Sequence, residues 1–325
     1  MKNILILVMS CNDPFFLKQE EYIRKTWAKD IIDSKYENID FLIYRGSLEK
    51  HSIDFNTNLF NVKCEDDLPN TFKKTYYAFA IINSKLEKKY DYILRVNTST
   101  FVNVPLLNAF VQSLDDDKIL WCSEFYSLTE GFCPYPLYLY GRGNGLLISN
   151  YLVNLIIKEG INFIYLKMTD DLVIGNILNS YWIKHGEDYL SHIKSYRHGW
   201  YKCINTKANS HNSICNYHND SKDFDFMKTF LTIQIKRYHE REKENKNYLE
   251  LYNKVFKDNI DTDIDNTVSL QYEYSKNPNV FIGSILGYIP FNKWVLVDKK
   301  KLYDIERKHK AYDDQEKYNI DKVLL

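Results

Sequence analysis

The chain contains 325 residues, 45% of them hydrophobic and 15% aromatic. This is enough for one large or two small domains with a packed core, and too apolar for a disordered chain. Lysine plus arginine and aspartate plus glutamate each total 43, a zero net charge that gives no support to non-specific nucleic-acid binding.

Taken in chain order, the apolar run Ile4 to Met9 is too short for a signal-peptide core or a membrane span. It reads as a buried strand, Asn3 to Met9. No later segment approaches about 18 uncharged apolar residues, so a cytosolic protein with no membrane span is expected. The bias toward Asn, Lys, Ile and Tyr points to an AT-rich bacterial, phage or viral genome and is silent on function. Asp13-Pro14 is a start signal for a helix over Phe15 to Ala28. A second strand is predicted over Ile39 to Tyr44. Helical spacing of Phe72, Tyr76, Phe79 and Ile82 predicts a helix over 69–88. Strands follow at Asp91 to Val96 and Ile119 to Ser123.

This order predicts an α/β fold with parallel strands covered by helices on both faces. Ligands on such sheets bind beyond the carboxyl ends of the strands, so the turns after Met9, Tyr44 and Val96 are the places to look. Residues 131–149, with three alternate glycines (141, 143 and 145), read as a loop entering a short apolar segment. Helices are expected from Asn150 to Lys158 and from about Asp171. From residue 222 the composition shifts, dividing the chain into 1–221 and a helical or extended region 222–325. In the latter, Phe224 to Lys257 reads as a long charged helix. The six cysteines show no metal-ligand spacing and no disulfide framework.

Four stretches carry the chemistry. They are Ile23-Arg24-Lys25-Thr26-Trp27; Asp66-Asp67-Leu68-Pro69-Asn70 with Lys74-Thr75; Arg95-Val96-Asn97-Thr98-Ser99-Thr100-Phe101-Val102; and Tyr135-Pro136 with Gly141 to Ser149 and Asp170-Asp171-Leu172. In register over about residues 1–220, they resemble the β1,3-glycosyltransferase and Fringe-like family of galactosyl- and N-acetylglucosaminyltransferases. The resemblance implies a GT-A-like mixed sheet flanked by helices and, as substrate, a nucleotide-sugar donor such as a UDP-sugar.

The same resemblance implies donor-binding roles for Arg24 and Asp66, with Ser10 and Asn12 in the turn after the first strand, and for Lys74, Arg95, Arg142, Asn144 and His211. The bland readings are a surface arginine, a loop carboxylate, a helix lysine and a loop histidine; Trp27 reads as core. The family's metal-binding acidic triplet falls on Asn97, Thr98 and Ser99. Neutral oxygens suit a divalent cation poorly, so the metal site is expected to be weak or absent, with Mn²⁺ possible but not expected. Asn97 and Ser99 are expected to hydrogen-bond the donor, and fixed cations to neutralise the departing diphosphate. Asp171 falls on the family's general base, with Asp170 beside it; an N-cap is the structural alternative.

The reading is an inverting hexosyltransferase acting on a hydroxyl of a glycan, protein or modified base, with the C-terminal region shaping the acceptor site or forming a homodimer. Two alternatives stay open: an inactive sugar-nucleotide or glycan-binding protein of the same fold, and a DNA-modifying glucosyltransferase with a basic groove from 236–241 and 298–301.

Overall fold

The computed structural model describes residues 1–114, 121–128, 138–165, 169–185, 193–195, 198–201, 231–235, 249 and 252–253. The chain opens with β1 (Ile4–Met9), α1 (Pro14–Lys25), the short α2 (Lys29–Ile32), β2 (Ile39–Ser47), β3 (Ser52–Asp54) and β4 (Leu59–Lys63). A 3₁₀ turn (Leu68–Asn70) leads into α3 (Thr71–Lys85), followed by β5 (Tyr92–Asn97), β6 (Thr100–Val102) and α4 (Val104–Ser113). Then come β7 (Trp121–Leu128), β8 (Tyr138–Ser149), α5 (Asn150–Gly160), α6 (Asp170–His185), β9 (Ile193–Ser195), β10 (His198–Tyr201) and β11 (Thr232–Ile235).

Eight strands form one mixed sheet in the order β3-β4-β2-β1-β5-β8-β7-β9. β1 is central and apolar throughout, because helices cover both of its faces. One core joins Leu5, Leu7, Leu42 and Ile93 to α3, α5 and α6. The other joins Ile4, Ile6, Val8 and Phe41 to α1 and α4, with Trp27 buried edge-on to Phe41 at 6.1 Å between centroids. Strand alternation thus divides each strand between two apolar layers. Helix starts follow local chemistry. Asp13 accepts the Phe15 N–H at 2.8 Å with proline at the start of α1, and Asn103 accepts the Leu106 N–H at 3.2 Å at α4.

The α/β class and the flanking helices agree with the sequence reading, and three details differ. β8 is a 12-residue strand antiparallel to β5 and β7, where the glycines had suggested a loop. Gly141 and Gly143 serve close approach: a Cβ would meet Ser123 Oγ at 2.6 Å and Arg95 Nη1 at 2.7 Å. Residues 232–235 form a strand paired with β6 and β10, not part of a helix over 224–257. The alternating Thr232-Ile233-Gln234-Ile235 suits a strand, and Leu231 is buried in the core of α1 and α4. This stretch beyond residue 222 therefore packs on the first part of the chain. No helix among the described residues is long and apolar enough to cross a membrane.

Candidate active site

Met9 of β1 lies level with Tyr44 of β2 on one side and Asn97 of β5 on the other, so β1 and β5 end together while β2 runs on to Ser47. A cleft of about 580 Å³ opens at this edge, where open α/β sheets bind ligands. Its walls come from the starts of three helices: Phe16 of α1, Leu68 to Lys74 leading into α3, and Thr169 to Asp171 at α6. Helix N-termini carry positive partial charge. Asn70 gives the start of α3 no side-chain cap, and Thr71 in its first turn faces the cleft.

Asp66 lines the cleft, but its four acceptor positions are occupied. Oδ1 accepts from the Gly46 N–H at 2.9 Å and Lys74 Nζ at 2.8 Å; Oδ2 accepts from the Asn12 N–H at 2.8 Å and Asn12 Nδ2 at 3.1 Å. A carboxylate offers about four lone-pair sites, so Asp66 ties the ends of β1 and β2 together. Gly46 permits this, since a Cβ there would lie 2.7 Å from the Asp66 backbone. Asn12 is spent in the same knot. Lys74 is 2% exposed and gives a second bond to the Ser10 carbonyl at 2.8 Å. Among the described residues its third N–H has no partner. Ser10 donates its hydroxyl to Glu20, which is paired with Arg45.

Arg95 is buried beneath the cleft floor. Its Nη2 donates to Asp170 Oδ1 at 2.9 Å and Nε lies 2.7 Å from Oδ2, an ion pair not aligned as a hydrogen bond. Nη1 donates to the Gly143 carbonyl and Nη2 also reaches Met9 sulfur. Loss of water works against the Arg95 charge, but Asp170 foremost, with Tyr44, more than offsets it. Arg95 is thus a buried structural cation whose partner is the first residue of α6.

Asp171 follows Asp170 and is half-buried in the cleft wall. Its Oδ1 accepts the Leu172 N–H at 2.9 Å. Loss of water foremost, then the neighbouring Asp170 charge, raises its pKa above the ordinary carboxylate range; Arg95 and hydrogen bonds from Thr169 and Leu172 oppose this only in part. The result is a carboxylate more basic than one in water, facing a space that admits a ligand.

The remaining predicted residues divide. Asn97 and Asn144 line the cleft. Ser99 is buried away from it. Arg24 is also elsewhere: its guanidinium lies over the Phe41 ring at 5.6 Å, its charge disfavoured first by loss of water and also by Arg45. Arg142 belongs to β8 but its side chain lies outside the described residues, as do His211 and the basic runs 236–241 and 298–301. Residues 97–99, where the resemblance places a metal site, carry no carboxylate. Thr98 gives its hydroxyl to Gln19 at 2.6 Å, Ser99 is buried, and Asn97 lines the cleft. Among the described residues no group of three or more His, Cys, Asp and Glu is placed to hold a metal ion.

Sequence reasoning missed Phe16 and Leu68, the apolar lips of the cleft. Leu68 is 54% exposed, and nothing in its spacing marks it. It gave no role to Tyr44 or Thr75, whose buried hydroxyls lie 2.8 Å apart.

No family model matches the chain, and no curated protein matches it in sequence. Among solved structures, a glycosyltransferase involved in glycosylation of the major capsid of PBCV-1 aligns at 10% identity and a TM-score of 0.38, over 76% of this chain and 99% of that one. The galactosyltransferase LgtC in complex with donor and acceptor sugar analogues aligns at 10% identity and 0.40, over 79% and 98%. The apo form of the glycosyltransferase GlyE of Streptococcus pneumoniae TIGR4 aligns at 12% identity and 0.32, over 85% and 64%. Likenesses at this level assign no residue a role.

Proposed function

We propose that the chain is an inverting glycosyltransferase. It moves a hexose or N-acetylhexosamine from a nucleotide sugar, a UDP-sugar in the simplest case, to a hydroxyl acceptor without a bound metal. The observation that carries this reading is Asp171, a carboxylate of raised basicity in the wall of a cleft built at the ends of parallel strands. A structural cap needs neither the raised basicity nor the access to a cleft.

The lining suits such a donor. Phe16 and Leu68 offer apolar surface for the flat face of a nucleobase. The spare N–H of Lys74 and the start of α3 offer donors for the diphosphate. Asn97 and Asn144, which line the cleft with Asp171, would bond sugar hydroxyls. In the reaction Asp171 takes the acceptor hydroxyl's proton as that oxygen bonds to the anomeric carbon. The bond from this carbon to the phosphate oxygen breaks on the opposite side, and its electron pair leaves with the nucleoside diphosphate. One displacement inverts the configuration, and one base suffices.

The test is a screen of UDP-, GDP- and TDP-sugars for nucleotide release, with and without sugar acceptors. Wild type and Asp171→Asn are compared. Asparagine caps a helix about as well as aspartate but takes no proton. The variant should bind nucleotide normally and lose about 10²- to 10⁴-fold in rate. Equal rates would place the base elsewhere. Nucleotide binding with no turnover in either protein would make the chain a binding protein.

A further inference from the structure

We propose that Thr75 and Tyr44 are positioning residues for the reaction at Asp171, joining a buried circuit with Arg95 and Asp170 that holds the first turn of α6 at the cleft. The inference rests on reading Asp171 as the base. The four side chains come from α3, β2, β5 and α6, and their exposures are 0%, 0%, 1% and 3%. Thr75 Oγ1 lies 3.0 Å from Asp170 Oδ2 and 2.8 Å from the Tyr44 hydroxyl.

The direction of each bond follows from the proton count. A carboxylate only accepts, so the single Thr75 proton goes to Asp170. The Tyr44 proton must then go to Thr75, which leaves the Tyr44 oxygen to accept. Arg95, which bonds Asp170, is near enough for its charge to act on that oxygen. Burial pushes the Tyr44 phenol up to about 12, with Arg95 opposing, so it stays protonated and works as a neutral link.

Hydroxyls here are not needed to fill space. Valine and phenylalanine have nearly the same shapes and would need no partners, and replacing both members of a buried hydrogen bond by apolar groups can be nearly neutral. What the hydroxyls add is direction. Thr75 bonds Oδ2 of Asp170 with its own hydroxyl held by Tyr44, while Arg95 lies against both carboxylate oxygens, so the residue before Asp171 is gripped by two elements, α3 and β5. Arg95 cannot turn away, because β8 passes over it at Gly143, where a Cβ would come within 2.7 Å of Nη1. A shift of about 1 Å in a reacting group can cost about 100-fold in rate, which is the scale such a grip protects.

The experiment compares Thr75→Val, Thr75→Ser and Tyr44→Phe in the full chain, using the donor found by the screen and UDP as the binding probe. Thr75→Val and Tyr44→Phe should lower kcat by about 10- to 100-fold, while the donor KM and UDP affinity stay within about twofold. Thr75→Ser, which keeps the hydroxyl, should restore most of the rate. Independently of activity, exchange of the Leu172 amide, which bonds Asp171 Oδ1, should quicken by about tenfold in Thr75→Val. Wild-type kcat or unchanged Leu172 exchange in both hydroxyl-deleted variants overturns the proposal. So does a rate loss matched by an equal loss of UDP binding. If Asp171→Asn turns over at the wild-type rate, the reading of Asp171 fails instead, and the exchange rates alone decide whether the circuit anchors α6. Tyr44→Phe, which removes no core volume, serves if Thr75→Val does not fold.

Discussion

Lys74 Nζ lies 2.8 Å from Asp66 Oδ1, and that ion pair turns a carboxylate expected to touch the donor into one that holds the cleft together. Asp66→Asn would leave the buried ammonium without its counter-charge. A loss of about 3 kcal/mol is expected, the low end for a broken buried pair because Asp66 keeps some contact with water. Urea unfolding measures it. A variant of normal stability that binds UDP poorly would return Asp66 to the role of a ligand contact.

Arg24 offers the complementary case. Its guanidinium lies over Phe41 and does not line the cleft. Arg24→Ala is expected to cost about 0.5–1 kcal/mol of stability, as for a partly exposed cation–π contact. UDP affinity should be unchanged in calorimetry. A loss of about 1.5–3 kcal/mol in affinity, the scale of a hydrogen bond to a charged group, would show that Arg24 reaches the donor.

The raised basicity of Asp171 has a pH signature. A base works only when deprotonated, so kcat/KM should rise with pH along an acid limb lying above the ordinary carboxylate range. Asp170→Asn removes a charge that raises the Asp171 pKa and frees Arg95, which lowers it. The limb should therefore move to lower pH, with residual activity persisting further into acid. The variant should also unfold more easily by about 3–5 kcal/mol, since Arg95 loses its partner, so profiles belong well below its melting temperature. A limb that stays in place would separate Asp171 from the pH dependence.

The metal question has a direct assay. Thr98 is engaged with Gln19, Ser99 is buried, and residues 97–99 offer only neutral oxygens. UDP affinity and turnover should survive excess chelator, and added Mn²⁺ should change neither by more than about twofold. Strict dependence on Mn²⁺ for both would require ligands from other parts of the chain.

Much of the frame was legible because its causes are local. The unbroken apolar run of β1, the Asp13-Pro14 start of α1 and the acid pair opening α6 each act within a few residues. Hydrophobic pattern and capping report such features directly. The strand at 232–235 was hidden because its partner in β6 lies more than a hundred residues away, and a short alternating stretch inside a charged region does not announce what it pairs with.

The sequence by itself determined which ionisable and polar groups reach this edge of the sheet, since strand ends and helix starts place Lys74, Asn97 and Asp171 there. Only the tertiary structure decided what each can do. Asp66 and Arg95 look like ligand contacts by type and position. Yet Asp66 is filled by Asn12, Gly46 and Lys74, and Arg95 by Asp170 from 75 positions along the chain. A charge is available to a substrate only if the fold has not already neutralised it, and burial makes that neutralisation obligatory. Neighbours of this kind come together by packing of distant elements, so no local pattern in the chain encodes them.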